Sequence, residues 1–263
     1  MGALVSVSFA ATPSHAAEEN LNEGLVHHFV LNETSGTTLV NSGSAGSAAN
    51  ATLVNPEKAT LTGDGVRFNP DSYESALTGA YVALPNDITA GMSNLTVDYD
   101  VWIDPANVGE HQMWGFGAKS GSCDADTGAQ GSIFASNTQR FRVAVGSANL
   151  QQNRVRMPEA AWTHVTYTQT QNANGTSWTG RLYLDGVLHA TSTNLTTAPS
   201  VNAAGTNCNF LARSQTSGHY SFRGTIRDFR VYDRAVSLDE TLALAERPSP
   251  PAFTPTPTPS TSA

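Results

Sequence analysis

The sequence predicts an all-β protein, a jelly-roll sandwich of two antiparallel sheets closed by one short C-terminal helix. Three observations carry this. Short runs of β-forming residues recur at near-regular spacing, punctuated by 22 glycines and by small polar residues. One pair, Asp185-Gly186, lies between β-formers in "YLDGVLHA" and is a strong hairpin signal. Only the segment after Ser237 reads as a helix.

"GLVHHFVL" is the first strand, followed by the loop "NETSGTTLVNSGSAGSAANAT". "GVRFN" and "AYVALP" come next. "LTVDYDVWIDP" alternates cleanly: Leu95, Val97, Tyr99, Val101 and Ile103 share one face, with Asp98, Asp100 and Trp102 opposite. "HQMWGFGAK", "GSIFAS", "QRFRVAVG", "AWTHVTYTQT", "GRLYLDGVLHATST" and "CNFLARS" continue the series. In "TIRDFRVY" a strict period of two puts Arg227, Phe229 and Val231 on one face and Ile226, Asp228, Arg230 and Tyr232 on the other. "SLDE" then offers Ser237 as N-cap and Glu240 at the third helical position, a capping box. Leu238, Leu242 and Leu244 supply one apolar stripe.

The chain has 263 residues, 39% of them hydrophobic, and a net charge of −8. A core of roughly 200 residues buries about 70% of its unfolded surface, so neither metal nor disulfide is required for stability. The acidic balance argues against nucleic acid, whose phosphates demand clustered cations, and against an anionic membrane surface. No apolar run approaches the length of a membrane span.

Residues 1–16 end in small-x-small at Ser14 and Ala16 and read as a signal-peptide remnant lacking its basic start, with the mature chain beginning near Ala17. The folded domain is expected over 17–247. Residues 248–263, "PSPPAFTPTPTPSTSA", read as an extended Pro/Thr-rich linker toward an adjacent domain of the same polypeptide. The expected location is secreted or cell-surface. In an exported chain Cys123 and Cys208 should pair, and closing so long a loop contributes up to about 4–5 kcal/mol in the chain-entropy account.

Four stretches together resemble the laminin-G-like domains of the concanavalin A-like lectin/glucanase superfamily, of the bacterial kind appended to secreted carbohydrate-active enzymes. They are "LVHHFVLNETSGTTLVNSGSAG", "LTVDYDVWIDP", "WTHVTYTQT…GRLYLDGVLHA" and "FRGTIRDFRVYDRAVSLDE". The resemblance runs over residues 24–244 and implies a concanavalin A-like jelly roll, in which the last stretch is the closing strand and helix.

It also implies a calcium site joining an acid after the first strand to one on the closing strand. Here Asn41 stands at the first position and Arg227 replaces the second acid, while Asp228 points to the other face. Asn41 and Asp228 are what remains of the ligand set, so calcium is expected to bind weakly or not at all, with Arg227 in the ion's place pairing a carboxylate. Asp124 and Asp126 in "SCDADTG" read as a solvated turn.

Glucanases that the chain resembles carry a Glu–x–Asp–x–x–Glu run, which is missing; the nearest acids, Asp98 and Asp100, read as an exposed polar face. No GxSxG elbow is present. The domain is therefore expected to be non-catalytic. Sugars are held by aromatic faces and planar polar groups, and loops carry function. Trp178, Arg213, His219 and Tyr220 are the expected ligand-binding residues. Trp102 and Trp114 read as packing, and Trp162 matches a family core position. The expected partner is a polysaccharide or glycoconjugate glycan, bound by a carbohydrate-binding or adhesion module. The alternatives are a ligand-free spacer domain and a small jelly-roll glycanase or lyase.

Overall fold

Alternating β-formers become strands throughout residues 20–246, which the computed structural model describes apart from 70, 72, 138, 139, 153, 154 and 204. The expected signal remnant and linker lie outside the described residues. In chain order the strands are β1 (Leu25–Phe29), β2 (Thr38–Leu39), β3 (Ala51–Val54), β4 (Ala59–Leu61), β5 (Val66–Phe68) and β6 (Tyr81–Ala83). Then come β7 (Leu95–Ile103), β8 (Gln112–Lys119), β9 (Ala129–Asn137), β10 (Phe141–Val145) and β11 (Ala148–Gln151). The last are β12 (Trp162–Gln171), β13 (Trp178–Leu184), β14 (Val187–Leu195), β15 (Phe210–Leu211) and β16 (Gly224–Tyr232), followed by helix α1 (Leu238–Ala245).

The strands form two eight-stranded antiparallel sheets. The first runs β14-β13-β12-β7-β16-β5-β4, with β1 also paired to β16; the second runs β11-β10-β9-β8-β15-β6-β3-β2. This is the all-β sandwich that the sequence predicts. Leu95, Val97, Tyr99, Val101 and Ile103 are all buried, as their alternation requires. Rings from the two sheets meet in the core: Phe116 lies edge-on to Phe229 and Trp114 is 6.4 Å from Tyr167. Asp185 and Gly186 both have positive φ, +49° and +74°, the pattern of a two-residue hairpin turn whose twist matches the strands it joins.

The closing strand departs from strict alternation. Arg227 pairs with Asp100 but Arg230 pairs with Asp98, so one extra residue is inserted in β16, and Asp228 takes a left-handed φ of +54°. The bulge resets the phase. Ile226, Phe229 and Val231 all enter the core, while Arg227 and Arg230 both face outward. The expectation that Ile226 and Arg230 share a face is therefore wrong, as is the one that sets Asp228 opposite Arg227.

The capping box forms: Glu240 N–H donates to Ser237 Oγ, and Ser237 N–H to the Glu240 carboxylate. Such a cap contributes about 1 kcal/mol. The helix buries Ala243 and Leu244 with Leu21, Tyr232 and Val236 over one end of the first sheet's outer face. Leu238 stays exposed, so the buried stripe is shifted from the leucines expected. Cys123 and Cys208 are joined, 85 positions apart.

Candidate functional site

Both sheets carry polar side chains on their outer faces. On the first sheet these form a chain of opposite charges across β7, β12 and β16. Arg227 donates to both oxygens of Asp64 at 3.0 and 2.9 Å and, through Nε, to Asp100 at 3.0 Å. His164 is held between Asp100 at 2.8 Å and Asp98 at 2.9 Å. Asp98 meets Arg230 at 3.1 Å and accepts from Thr166 at 2.8 Å. Arg230 reaches Asp228, which also bonds His28 at 2.7 Å.

Burial opposes charge on His164, but Asp98 and Asp100 outweigh it and raise the imidazole to about 10. Burial likewise opposes charge on Asp98, and His164 and Arg230 outweigh it and hold the carboxyl below its ordinary value. Asp98 and Asp100 are thus not an exposed polar face: Asp98 is fully buried. Every oxygen pair here is engaged by a cation, which suits a structural strut rather than an acid–base pair.

The outer face of the second sheet is open in part: Phe134 and Arg142 are half-buried, whereas Gln112, Gly115, Ser136 and Ala144 are buried. Its floor is the row Gly115, Phe134 and Ala144 across β8, β9 and β10, with Gln112, Ser136 and Arg142 in the next row. Loops at 104–111, 120–128 and 212–220 stand around it. Two adjoining cavities result. One, of about 140 Å³, is lined by Gln112, Lys119, Asp126, Phe134, Gln215 and His219. The other, of about 630 Å³, is lined by Asn107, Glu110, Arg140, Arg142 and Arg156. Glu110 and His219 join them, 3.6 Å apart. Arg142 lies over the Phe134 ring at 5.7 Å and donates to Glu110 at 2.8 Å and to Ser136 at 3.1 Å.

The walls are fastened rather than loose. Lys119 Nζ donates to the carbonyls of Cys123, Ala125 and Gln215, tying two loops together beside the disulfide. Asp126 accepts from the N–H and hydroxyl of Ser217, which hold its carboxyl below the ordinary value. Buried Gln112 Oε1 has no hydrogen-bond partner among the described residues, leaving an acceptor at the groove.

The expected ligand residues scatter. His219 lines the groove, its Nδ1 against Ser214 Oγ at 2.9 Å. Tyr220 borders it: its ring abuts Gly109, where an added Cβ would lie 2.1 Å from the ring, and its N–H donates to the Glu110 carbonyl. Gly109 also has φ +68°, so this contact fixes the wall that carries Glu110.

Arg213 is buried beneath, stacked over Phe210 at 4.5 Å and Tyr81 at 4.7 Å and paired with Asp124, so it braces the wall. Trp178 is the first residue of β13, not a loop residue; it is buried and donates to Ser93 O at 2.8 Å beside a separate cavity of about 490 Å³. Trp114 is core and Trp102 half-buried. Trp162 is not core: it is exposed on the first sheet, with Arg227 4.0 Å over its ring.

Glu110, Gln112, Phe134 and Arg142 went unnoticed in the sequence. Phe134 and Arg142 carry a readable signal, because each stands out of phase with its apolar neighbours, Ile133 and Ala135 or Phe141 and Val143.

Asn41 and Asp228 do not fit a calcium ion. The Asn41 amide oxygen accepts from the N–H groups of His28 at 2.8 Å and Gly43 at 3.0 Å, and its amide nitrogen donates to Gly46 O. Asp228 is taken by His28 and Arg230, which hold its carboxyl down at about 2 against the effect of burial. A hard dication needs free oxygens without cations beside them. Arg227 does pair carboxylates, as expected, and Asp124 and Asp126 both engage donors of the 213–217 loop.

A laminin-G family model described as the concanavalin A-like lectin/glucanases superfamily matches residues 76–241. No curated protein matches in sequence. Among solved structures, Trypanosoma rangeli sialidase aligns at 16% identity and TM-score 0.60, over 84% of this chain and 32% of that one. The same sialidase in complex with sialic acid aligns at 18% identity and TM-score 0.60, over 90% and 33%. Domain 4 of AbnA, a GH43 extracellular arabinanase from Geobacillus stearothermophilus, in complex with arabinotriose, aligns at 16% identity and TM-score 0.47, over 84% and 87%. The chain thus spans about a third of the sialidase's length, and likeness at such identities speaks for the fold alone.

Proposed function

The chain belongs to the concanavalin A-like lectin/glucanases superfamily, and from that premise we propose that it is a non-catalytic carbohydrate-binding module of a secreted, multidomain glycan-active protein. The groove on the second sheet's outer face carries the reading. A half-buried ring, Phe134, lies among Gln112, Glu110, Arg142, Gln215 and His219. An aromatic face receives the C–H surface of a sugar ring, and planar polar groups reach its hydroxyls. Gln112 brings an acceptor without a partner among the described residues. Binding by such a groove is weak, and linkage to a neighbouring domain raises that domain's effective concentration at its substrate.

The carboxylates support a binding role. A hydrolase needs one carboxyl held protonated near the scissile bond. Ser217 favours the ionised form of Asp126, and the Glu110 carboxyl is occupied by Arg142 at 2.8 Å. Retention on a panel of immobilised glycans tests the reading. The chain should be retarded by at least one glycan, Phe134→Ala should release it, and no new reducing ends should appear. Cleavage of the glycan, or retention that ignores Phe134→Ala, would overturn it.

A further inference from the structure

We propose that the larger cavity of the groove selects acidic glycans, those whose sugar residues carry a carboxylate. The inference rests on the carbohydrate-binding reading and adds a ligand class to it. Three guanidinium groups, Arg140, Arg142 and Arg156, line this one cavity of about 630 Å³, against one lining carboxylate, Glu110. Arg142 projects to the outer face from β10, and Arg140, just before that strand, lines the same cavity.

Their partners differ. Arg142 is pinned: Glu110, Ser136 and Asn149 accept from it, and Phe134 lies under it. Arg156, exposed, pairs with Glu159. Arg140 has no ion-pair partner among the described residues. Among the described residues the cavity therefore holds one uncompensated cation beside one already oriented, with the Gln112 amide and the Phe134 ring adjoining.

This arrangement suits a carboxylate. A guanidinium presents parallel N–H groups that match its two oxygens, and its planar fork loses little freedom when held on an aromatic ring. A neutral sugar would leave Arg140 solvated and gain nothing from it. The chain's net charge of −8 does not cancel the local field, because charges further off than about 8–10 Å are screened at ordinary salt. A uronic acid and a sialic acid offer the same carboxylate, and the experiment separates them.

The test is titration calorimetry on the full chain with trigalacturonate and its methyl ester, and with sialyllactose and lactose. At least one acidic probe should bind about tenfold or more tightly than its neutral counterpart, a margin expected of one charge-assisted pair, and should weaken as salt is raised. Arg140→Gln should erase the preference without changing the melting temperature, since it breaks no ion pair among the described residues; Arg142→Gln should also erase it and should weaken neutral binding too. Equal binding of acid and neutral forms overturns the inference, as does a preference that survives the Arg140→Gln/Arg142→Gln double variant. In either case, Phe134-dependent retention of a neutral glycan would leave the proposed function standing. Failure of the whole glycan panel would overturn both.

Discussion

The outer faces of the two sheets draw on the same residue types, arginine, acid, histidine and aromatic ring, and arrange them for different ends. On the first sheet, Asp64, Arg227, Asp100, His164, Asp98, Arg230 and Asp228 alternate in sign, each contacting the next. Every charge meets its opposite inside the molecule. On the second sheet, Arg142 lies on Phe134 and faces a cavity, and among the described residues Arg140 has no ion-pair partner and the buried Gln112 acceptor has no hydrogen-bond partner. Polarity on an outer face does not identify a site. What distinguishes the two is whether the hydrogen-bonding capacity is spent internally.

The largest effect that would sharpen this contrast comes from Asp98→Ala. It takes one of two carboxylates from each of the buried cations His164 and Arg230, leaving Asp100 and Asp228 as their remaining partners, and breaking a buried pair costs about 3–5 kcal/mol. Urea unfolding should show that loss, whereas Arg140→Gln on the open face should stay within about 0.5 kcal/mol. A shift of Asp98→Ala no larger than that of Arg140→Gln would remove the distinction between strut and site. Next comes Cys123→Ser with Cys208→Ser, which should cost about 2–5 kcal/mol and loosen the wall formed by 120–128. Thiol titration of the unreduced chain should find no free thiol.

How much of this was legible follows from what one strand can reveal about itself. The alternation of β7, the Asp185-Gly186 turn and the Ser237/Glu240 cap are local patterns, and each formed. The bulge at Asp228 was not legible, because an inserted residue shows only when the strand is laid against β7, and it puts Ile226 on the same face as Phe229 and Val231 instead of with Arg230. The charge chain was hidden for a related reason: His164 meets Asp98 and Asp100 only through the β12–β7 pairing. Phe134 and Arg142 could be read as off-phase. That their face is open while the first sheet's is filled depends on where α1 and the loops pack.

A smaller effect is the pH dependence of stability. His164 has its folded value raised to about 10 from 6.5, so its contribution is complete below pH 6.5 and declines as pH rises toward 10. His27 and His111 are the reverse case: burial lowers both to about 4, so unfolding takes up protons and stability declines as pH falls from 6.5 toward 4. Melting should therefore peak near pH 6.5, and His164→Gln should flatten the alkaline limb alone. An alkaline limb unchanged by His164→Gln would show that the chain is not charged as described. The smallest expected effect is that of calcium. With Asn41 and Asp228 both engaged, melting in chelator and in millimolar calcium should agree, and a clear rise with calcium would mean that other oxygens hold it.

The central claim is that ligand meets the second sheet's outer face and not the first's. The most direct measurement compares affinity for the best-retained glycan between Phe134→Ala and Trp162→Ala, an aromatic truncation on each face. Phe134→Ala should weaken binding about tenfold or more, the size expected when a stacking ring is removed from a binding site, and Trp162→Ala should leave it unchanged. Loss on Trp162→Ala with Phe134→Ala unaffected would place binding on the first sheet and contradict it.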